Sequence, residues 1–422
     1  MSLQIIKVLE FWAEGEITNF IKVWALVFAS LSYCFFAAKH LPPGLSRFLA
    51  LLPVLLLNLI LPLTLHTMHL GGSSAFFLAW LANFKLLLFA FGKGPLSDPS
   101  VSLPRFAALA CLPIKSAGSA PAVADEKLVR LKKMDESSES RTVRQKGSGQ
   151  EVPIESQVAF NSSKKGLKSM WNYVIKGLLI CLFLKLYDYT DMIHPKLTWV
   201  LYSFHIYFGL EIILAIFGGL AKAVVGIELE PQFDEPYLSA SLQEFWGRRW
   251  NIMVTRILRP TVYEPVLYFS TVIMGRKWAP LPAVMGSFVV SALMHELIFF
   301  YLGRRKPSGE ITLFFMLHGV CLAIEVAIKK AINGRWGLPR LIAAPLTIGF
   351  VMVTAFWLFF PEFLRCNSIS RAFDEYAAMG AFVKDVGEAL TFGTFHNVTW
   401  SENVSISTYG SYRFLRDFGA QK

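Results

Sequence analysis

The sequence predicts an all-α, polytopic transmembrane helical bundle, and three observations carry that reading. Of 422 residues, 54% are apolar or aromatic and 17% are charged, against roughly 25% charged in soluble domains. Long runs carry no charge at all: 23–38, 48–65, 67–84, 278–294 and 341–361. The excess of positive charge, formally +11, gathers in polar segments between such runs, as in the cytoplasmic loops of membrane proteins.

A helix needs about 20 mostly apolar residues to cross the hydrocarbon core. Segment 341–361 meets that alone, and the others meet it with one flanking or tolerated charge. Adding 171–187, 197–220 and 311–328 gives about eight spans, with 262–274 as a shorter ninth candidate. The first span follows a leader containing Glu10, Glu14 and Glu16. An acidic leader is unlike a signal peptide, whose leader is basic.

Four regions follow. Residues 1–91 hold the first three spans. Residues 92–168 form a polar loop rich in Ser, Lys and Glu, expected on the cytosolic side and disordered at its centre. Residues 169–361 form the membrane core expected to carry chemistry, and 362–422 a polar tail. The tail contains the glycosylation-type triplets at Asn397 and Asn403, which matter only on a lumenal tail. Segment 222–264 is too charged to cross lipid. It mixes Phe245, Trp246 and Trp250 with Arg248, Arg249, Arg256 and Arg259, and is expected to be an interfacial or re-entrant helix bracketed by prolines 231, 236 and 260.

The five cysteines, at 34, 111, 181, 321 and 366, form no CxxC pair. That disfavours a zinc site or disulfide framework. No internal repeat is visible, which weighs against inverted-repeat transporters. The basic charge points to the bilayer and to an anionic co-substrate, and not to nucleic acid.

His295 lies in an otherwise apolar run with Glu296 beside it. Ionisable groups at that depth face a cavity or pair across helices. One reading is a general base, since a neutral imidazole can take a proton near neutral pH. On a helix, Ser291, Ala292, Ile298 and Phe299 share its face, and the small residues leave room beside the ring. The other reading is a histidine that hydrogen-bonds a neighbouring helix. The block Glu244-Phe-Trp-Gly-Arg-Arg-Trp-Asn251 also reads two ways. If helical, it places Arg249, Arg256 and Arg259 on one stripe and Asn251 roughly opposite. The arginines then meet either phosphates or lipid headgroups.

Several motifs together resemble the membrane-bound O-acyltransferase superfamily, and in particular its plant wax-synthase branch, the long-chain-alcohol fatty-acyltransferases. They are Trp80-Leu-Ala-Asn-Phe-Lys-Leu-Leu-Leu-Phe89, Gly94-Pro-Leu96, Leu112-Pro-Ile-Lys115, the block from Phe233 through Glu235-Pro-Tyr-Leu238 to Phe245-Trp-Gly-Arg-Arg-Trp-Asn251, and the His295 segment. The resemblance covers about residues 16–365. It implies acyl transfer from a CoA thioester to a hydroxyl, in the endoplasmic reticulum membrane, with the spans expected to form a buried catalytic tunnel. It implies His295 as the base, with Asn251 orienting it or binding the oxyanion. Phe245, Trp246, Arg248, Arg249, Trp250, Arg256 and Arg259 are expected on the acyl-CoA side. Acyl-CoA is then a co-substrate, and no cofactor or metal is expected. The acceptor implied is a long-chain fatty alcohol, with a sterol as the rival and diacylglycerol behind both.

Two further spans carry ionisable groups. Lys85 is expected to snorkel to the interface rather than pair with an acid such as Glu296. His318 and Glu325 share a helix face and are expected to hydrogen-bond between helices. A transporter using His295 and Glu296 as a proton relay is the alternative of another class, and a non-enzymatic lipid scaffold is a third.

Overall fold

The computed structural model describes residues 15–113, 171–225, 232–332 and 338–391. The basic loop from residue 114 (with Ile114 and Lys115), the leader glutamates 10 and 14, and the triplets at Asn397 and Asn403 lie outside these residues. All regular structure among the described residues is helical.

Among the described residues, seven helices have the length and apolarity to cross a bilayer. They are α1 (Glu16–His40), α2 (Leu45–Thr64), α3 (His69–Ala90), α6 (Pro195–Val225, apolar through Leu220), α9 (Pro280–Gly303), α10 (Glu310–Ala331) and α11 (Arg340–Arg365). Each covers all or most of one of the expected spans. The expected span at 171–187 is helical over 171–186, called α5 here. A short helix α4 (Leu103–Cys111) and a final helix α12 (Ser368–Thr391) complete the set with α7 and α8, described below.

The described helices fall into two compact units. One comprises residues 115–216 and the other the remainder. In the smaller unit, Lys176 of α5 pairs with Glu211 of α6, beside Tyr207. In the larger unit, α1 to α4 share an apolar core around Leu31, Leu51, Leu86 and Phe106. A second core joins α9, α10 and α11 through Phe288, Phe299, Phe314, Phe315 and Leu358. The helices α9 and α10 approach closely at Gly319. A Cβ there would stand 3.0 Å from Cβ and Cγ of Phe288, closer than side chains pack.

Buried cations in this unit bind helix-end carbonyls. Arg47 donates to the carbonyls of Ala38 and Leu41 at the end of α1, the latter at 2.6 Å. Lys85 is buried at 3% exposure, and its Nζ donates to the carbonyls of Leu109 and Leu112 at 2.6 Å each. It therefore does not snorkel. The last carbonyls of a helix have no intrahelical partner and carry the negative end of the dipole. A fixed cation there satisfies both needs, and α4 brings those carbonyls to Lys85 at its own depth.

The segment after residue 231 is not one helix. A turn at Leu242–Glu244 runs into a π-helical turn, Phe245–Arg249. Trp250 is then extended (φ −101°, ψ 123°) and Asn251 left-handed (φ 45°) before α7 (Ile252–Leu258) begins. The break separates Arg249 from Arg256 and Arg259, so the predicted arginine stripe does not form. Asparagine is among the few residues that tolerate this backbone region. Pro260 does not end the helix either. A second π-turn, Arg259–Tyr263, carries α7 into α8 (Glu264–Trp278). Proline cannot donate, and here Thr261 Oγ1 donates to the Ile257 carbonyl at 2.6 Å. The candidate span 262–274 lies in this run, which carries Arg256, Arg259 and Glu264 and is not among the seven.

Candidate active site

His295 sits in the middle of α9. Its Nδ1 lies 2.7 Å from the Ser291 carbonyl one turn earlier. A carbonyl only accepts, so Nδ1 carries the proton and donates. In the neutral ring Nε2 then holds a free lone pair. No described residue hydrogen-bonds Nε2. The residue as a whole is partly buried.

Three aromatic rings from three other helices surround the imidazole. Trp80 of α3 meets it edge-on, with centroids 5.1 Å apart and planes at 85°. Phe315 of α10 lies at 4.4 Å and Phe359 of α11 at 6.1 Å. The backbone is unusual where these rings originate. Trp80 is in a π-helical segment, Phe76–Ala82, and Phe359 ends another, Ala355–Phe359. An i→i+5 turn inserts a residue and re-aims the following side chains, and such turns gather at functional sites. The small residues at 291 and 292 do not leave an open space on their own, because these rings from neighbouring helices close round it.

Glu296 faces elsewhere. Its Oε1 accepts from the backbone N–H and the hydroxyl of Thr312, at 3.0 and 2.9 Å. It thereby caps the first turn of α10, where N–H groups lack partners.

His318 is fully engaged. The Trp246 indole donates to its Nδ1 at 3.1 Å, so its proton is on Nε2, which donates to Thr354 Oγ1 at 2.8 Å. That hydroxyl donates to the Phe350 carbonyl at 2.8 Å. Glu325 accepts from the Leu242 N–H at 2.8 Å and from Lys329. Both side chains bridge helices, as their shared face suggested. Together they hold the Phe245–Asn251 block against α10.

Within that block the residues divide. Phe245 is buried and stacks on Trp250 with planes at 13°. Trp246 packs against Phe288, Phe315 and His318, and so touches the same Phe315 as His295. Arg249 is an internal brace. It donates to Glu244 Oε1 at 2.8 Å and to the Asp234 carbonyl at 2.9 Å. Arg248 is exposed and unpaired among the described residues. Arg256 and Arg259 are exposed, and Arg259 pairs with Glu264 at 3.3 Å.

Asn251 is partly buried, and its side chain makes no hydrogen bond among the described residues. The Ser291 carbonyl orients the imidazole instead. Asn251 is the left-handed residue immediately before α7, the helix that carries Val254 and Leu258. Those two pack in one cluster with Trp80.

A neutral base, aromatic walls and an adjacent basic, tryptophan-rich block suit proton removal from an apolar alcohol. The comparisons with known proteins bear directly on this. The chain is 47% identical over 375 residues to acyl-CoA–sterol O-acyltransferase 1 of Arabidopsis thaliana, covering 88% of this chain and 98% of that protein. It is 42% identical to the long-chain-alcohol O-fatty-acyltransferase of Simmondsia chinensis, over 87% of this chain and 95% of that protein. A sequence profile of the membrane bound O-acyl transferase family matches residues 229–317. The chain belongs to the membrane-bound O-acyltransferase family. It is an integral membrane acyltransferase, and both the Phe245–Asn251 block and His295 fall within the matched residues. A third relative, the probable long-chain-alcohol O-fatty-acyltransferase 3 of Arabidopsis thaliana, is 39% identical over 88% of this chain and 97% of its own.

The sequence alone did not indicate Trp80, Phe315 and Phe359 as neighbours of His295. Each comes from a different helix, and an aromatic residue in a span ordinarily signals packing.

Proposed function

We propose that this protein transfers an acyl group from acyl-CoA to the hydroxyl of a long-chain fatty alcohol dissolved in the endoplasmic reticulum membrane. His295 is the general base. Its Nε2 takes the hydroxyl proton as the alcohol oxygen attacks the thioester carbonyl. The new C–O bond forms, the C–S bond breaks, and the departing sulfur recovers the proton from His295 to leave CoA–SH and an ester. Such proton transfer contributes about 10²–10⁴-fold.

The observation that carries this reading is the Ser291 contact, which fixes the tautomer with Nε2 unprotonated. Asn251 immediately precedes the helix whose Val254 and Leu258 cluster with Trp80, and its unpaired amide is suited to the developing oxyanion. The CoA moiety is anionic. Arg248, exposed and unpaired, is the most available of the four arginines for it, whereas Arg249 is occupied internally. Phe245, Trp246 and Trp250 support this surface by packing.

A sterol acceptor is favoured by the 47% identity to a sterol O-acyltransferase. Purified protein with labelled acyl-CoA, offered fatty alcohol, sterol and diacylglycerol in competition, decides the acceptor. In the same assay His295→Ala is expected to lose at least 100-fold in turnover while remaining folded. Full turnover in that variant removes the mechanism.

A further inference from the structure

Trp80 is 1% exposed, and its indole N–H has no acceptor among the described residues. That is costly, since a buried donor without a partner forfeits the hydrogen bond it would make to water. Trp24 and Trp246 solve the same problem with Ser74 and His318. The apolar side chains that cluster with Trp80 include Phe76, Phe84, Val254, Leu258, Val290 and Met294. The polar ring against it is His295, 5.1 Å away, and no hydrogen bond runs between the indole and either imidazole nitrogen.

The backbone supports a purpose. Trp80 lies inside the π-helical segment Phe76–Ala82, in the middle of α3, and π-turns in mid-helix mark functional positions. The residue therefore combines a locally altered helix, an unpartnered N–H and direct contact with the base.

We propose that the Trp80 indole N–H donates to the carbonyl oxygen of the acyl thioester and stabilises the oxyanion formed when the alcohol attacks. This rests on the acyl-transfer reading above. As the hydroxyl proton moves to His295 Nε2, negative charge collects on the carbonyl oxygen, and a fixed donor in an apolar surround strengthens most at that moment. The bond to the ground-state carbonyl is weaker than that to the oxyanion, so most of the effect falls on kcat and a smaller part on binding.

The test uses full-length protein in detergent, with Trp80→Phe and, as a shape-preserving control, 3-benzothienylalanine at position 80, which replaces the N–H by sulfur. Turnover is expected to fall about 100-fold in both, with KM for acyl-CoA rising by no more than about 5–10-fold. A second readout needs no catalysis. An acyl-CoA analogue with CH₂ for the thioester sulfur keeps the carbonyl, and a thioether analogue lacks it. Wild type is expected to prefer the ketone by about 5–10-fold, a preference lost in both variants. If the benzothienyl protein turns over normally, or retains the ketone preference, Trp80 has no such role. If His295→Ala is inactive in the same assay, the general-base reading survives that result. Should His295→Ala be fully active, the reading itself fails, whatever position 80 shows.

Discussion

The Trp246 indole donates to Nδ1 of His318 at 3.1 Å, which leaves that imidazole no free lone pair. His295, on the neighbouring helix, has one nitrogen engaged and one open. Two membrane histidines thus have opposite uses. His318→Ala is expected to strand the Trp246 and Thr354 groups and open a cavity, costing about 3 kcal/mol. Thermal unfolding in detergent measures this. Substantial turnover below the unfolding temperature should persist, unlike in His295→Ala.

Arg248 and Arg249 are adjacent but do different work. Arg249→Ala removes the closer of two arginine partners of Glu244 Oε1 and two carbonyl contacts. Burial raises the Glu244 pKa, but the Ala240 N–H, Arg249 and Arg340 outweigh it and hold the carboxyl below its usual range. The variant is therefore expected to lose stability. Arg248→Ala should leave the melting temperature unchanged and raise KM for acyl-CoA a few-fold, more at low ionic strength than at high. Equal effects in the two variants would contradict this division.

Most spans were legible in the sequence because lipid excludes charge, so an uncharged run long enough to cross is nearly a sufficient sign. His295 was legible for the same reason, as an expensive exception. Lys85 was misread, because snorkelling is a rule about one helix, while its partners Leu109 and Leu112 belong to a short helix more than twenty residues away. The break at Trp250–Asn251 was hidden, because Phe-Trp-Gly-Arg-Arg-Trp-Asn continues a helical pattern with no proline to stop it. The π-turns left no residue signature, so the rings they direct toward His295 emerged only from the fold.

Lys85→Met is a direct test of the capping arrangement. Methionine keeps the volume and removes the donor, leaving the Leu109 and Leu112 carbonyls buried without Nζ. A loss of about 1–3 kcal/mol is expected. A snorkelling lysine would make the same change neutral or stabilising. Chemical denaturation in detergent separates the two outcomes.

Gly303 ends α9 against Cys366, and a Cβ at 303 would collide with the Cys366 sulfur and stand 3.2 Å from its Cβ. Gly303→Ala is expected to cost about 1–3 kcal/mol by overpacking. Cys366→Ala removes the sulfur and should relieve most of that cost, giving a clear coupling energy in a double-mutant cycle. Additive effects would show that the two residues do not meet.

Glu375 docks α12 onto the start of α3. Its carboxylate accepts from the N–H groups of Met68 and His69, the latter at 2.9 Å, and from His69 Nδ1 at 2.6 Å. Tyr376 donates to His69 Nε2 at 3.1 Å, and burial pushes its phenol up to about 12. Burial also opposes the Glu375 charge, but the His69 ring and the two amides outweigh it and hold the carboxyl below its usual range. A carboxyl depressed on folding contributes stability that is fully present above the unfolded value, near 4.3. That contribution is lost as pH falls through the folded value. Wild type should therefore shed this part of its stability on acidification below about pH 4. Glu375→Gln lacks the titration. It should be less stable at pH 7, with the difference from wild type shrinking in acid. Protease protection of α12, followed across pH in both proteins, reads this out, and parallel profiles would mean that Glu375 does not hold the helix in place.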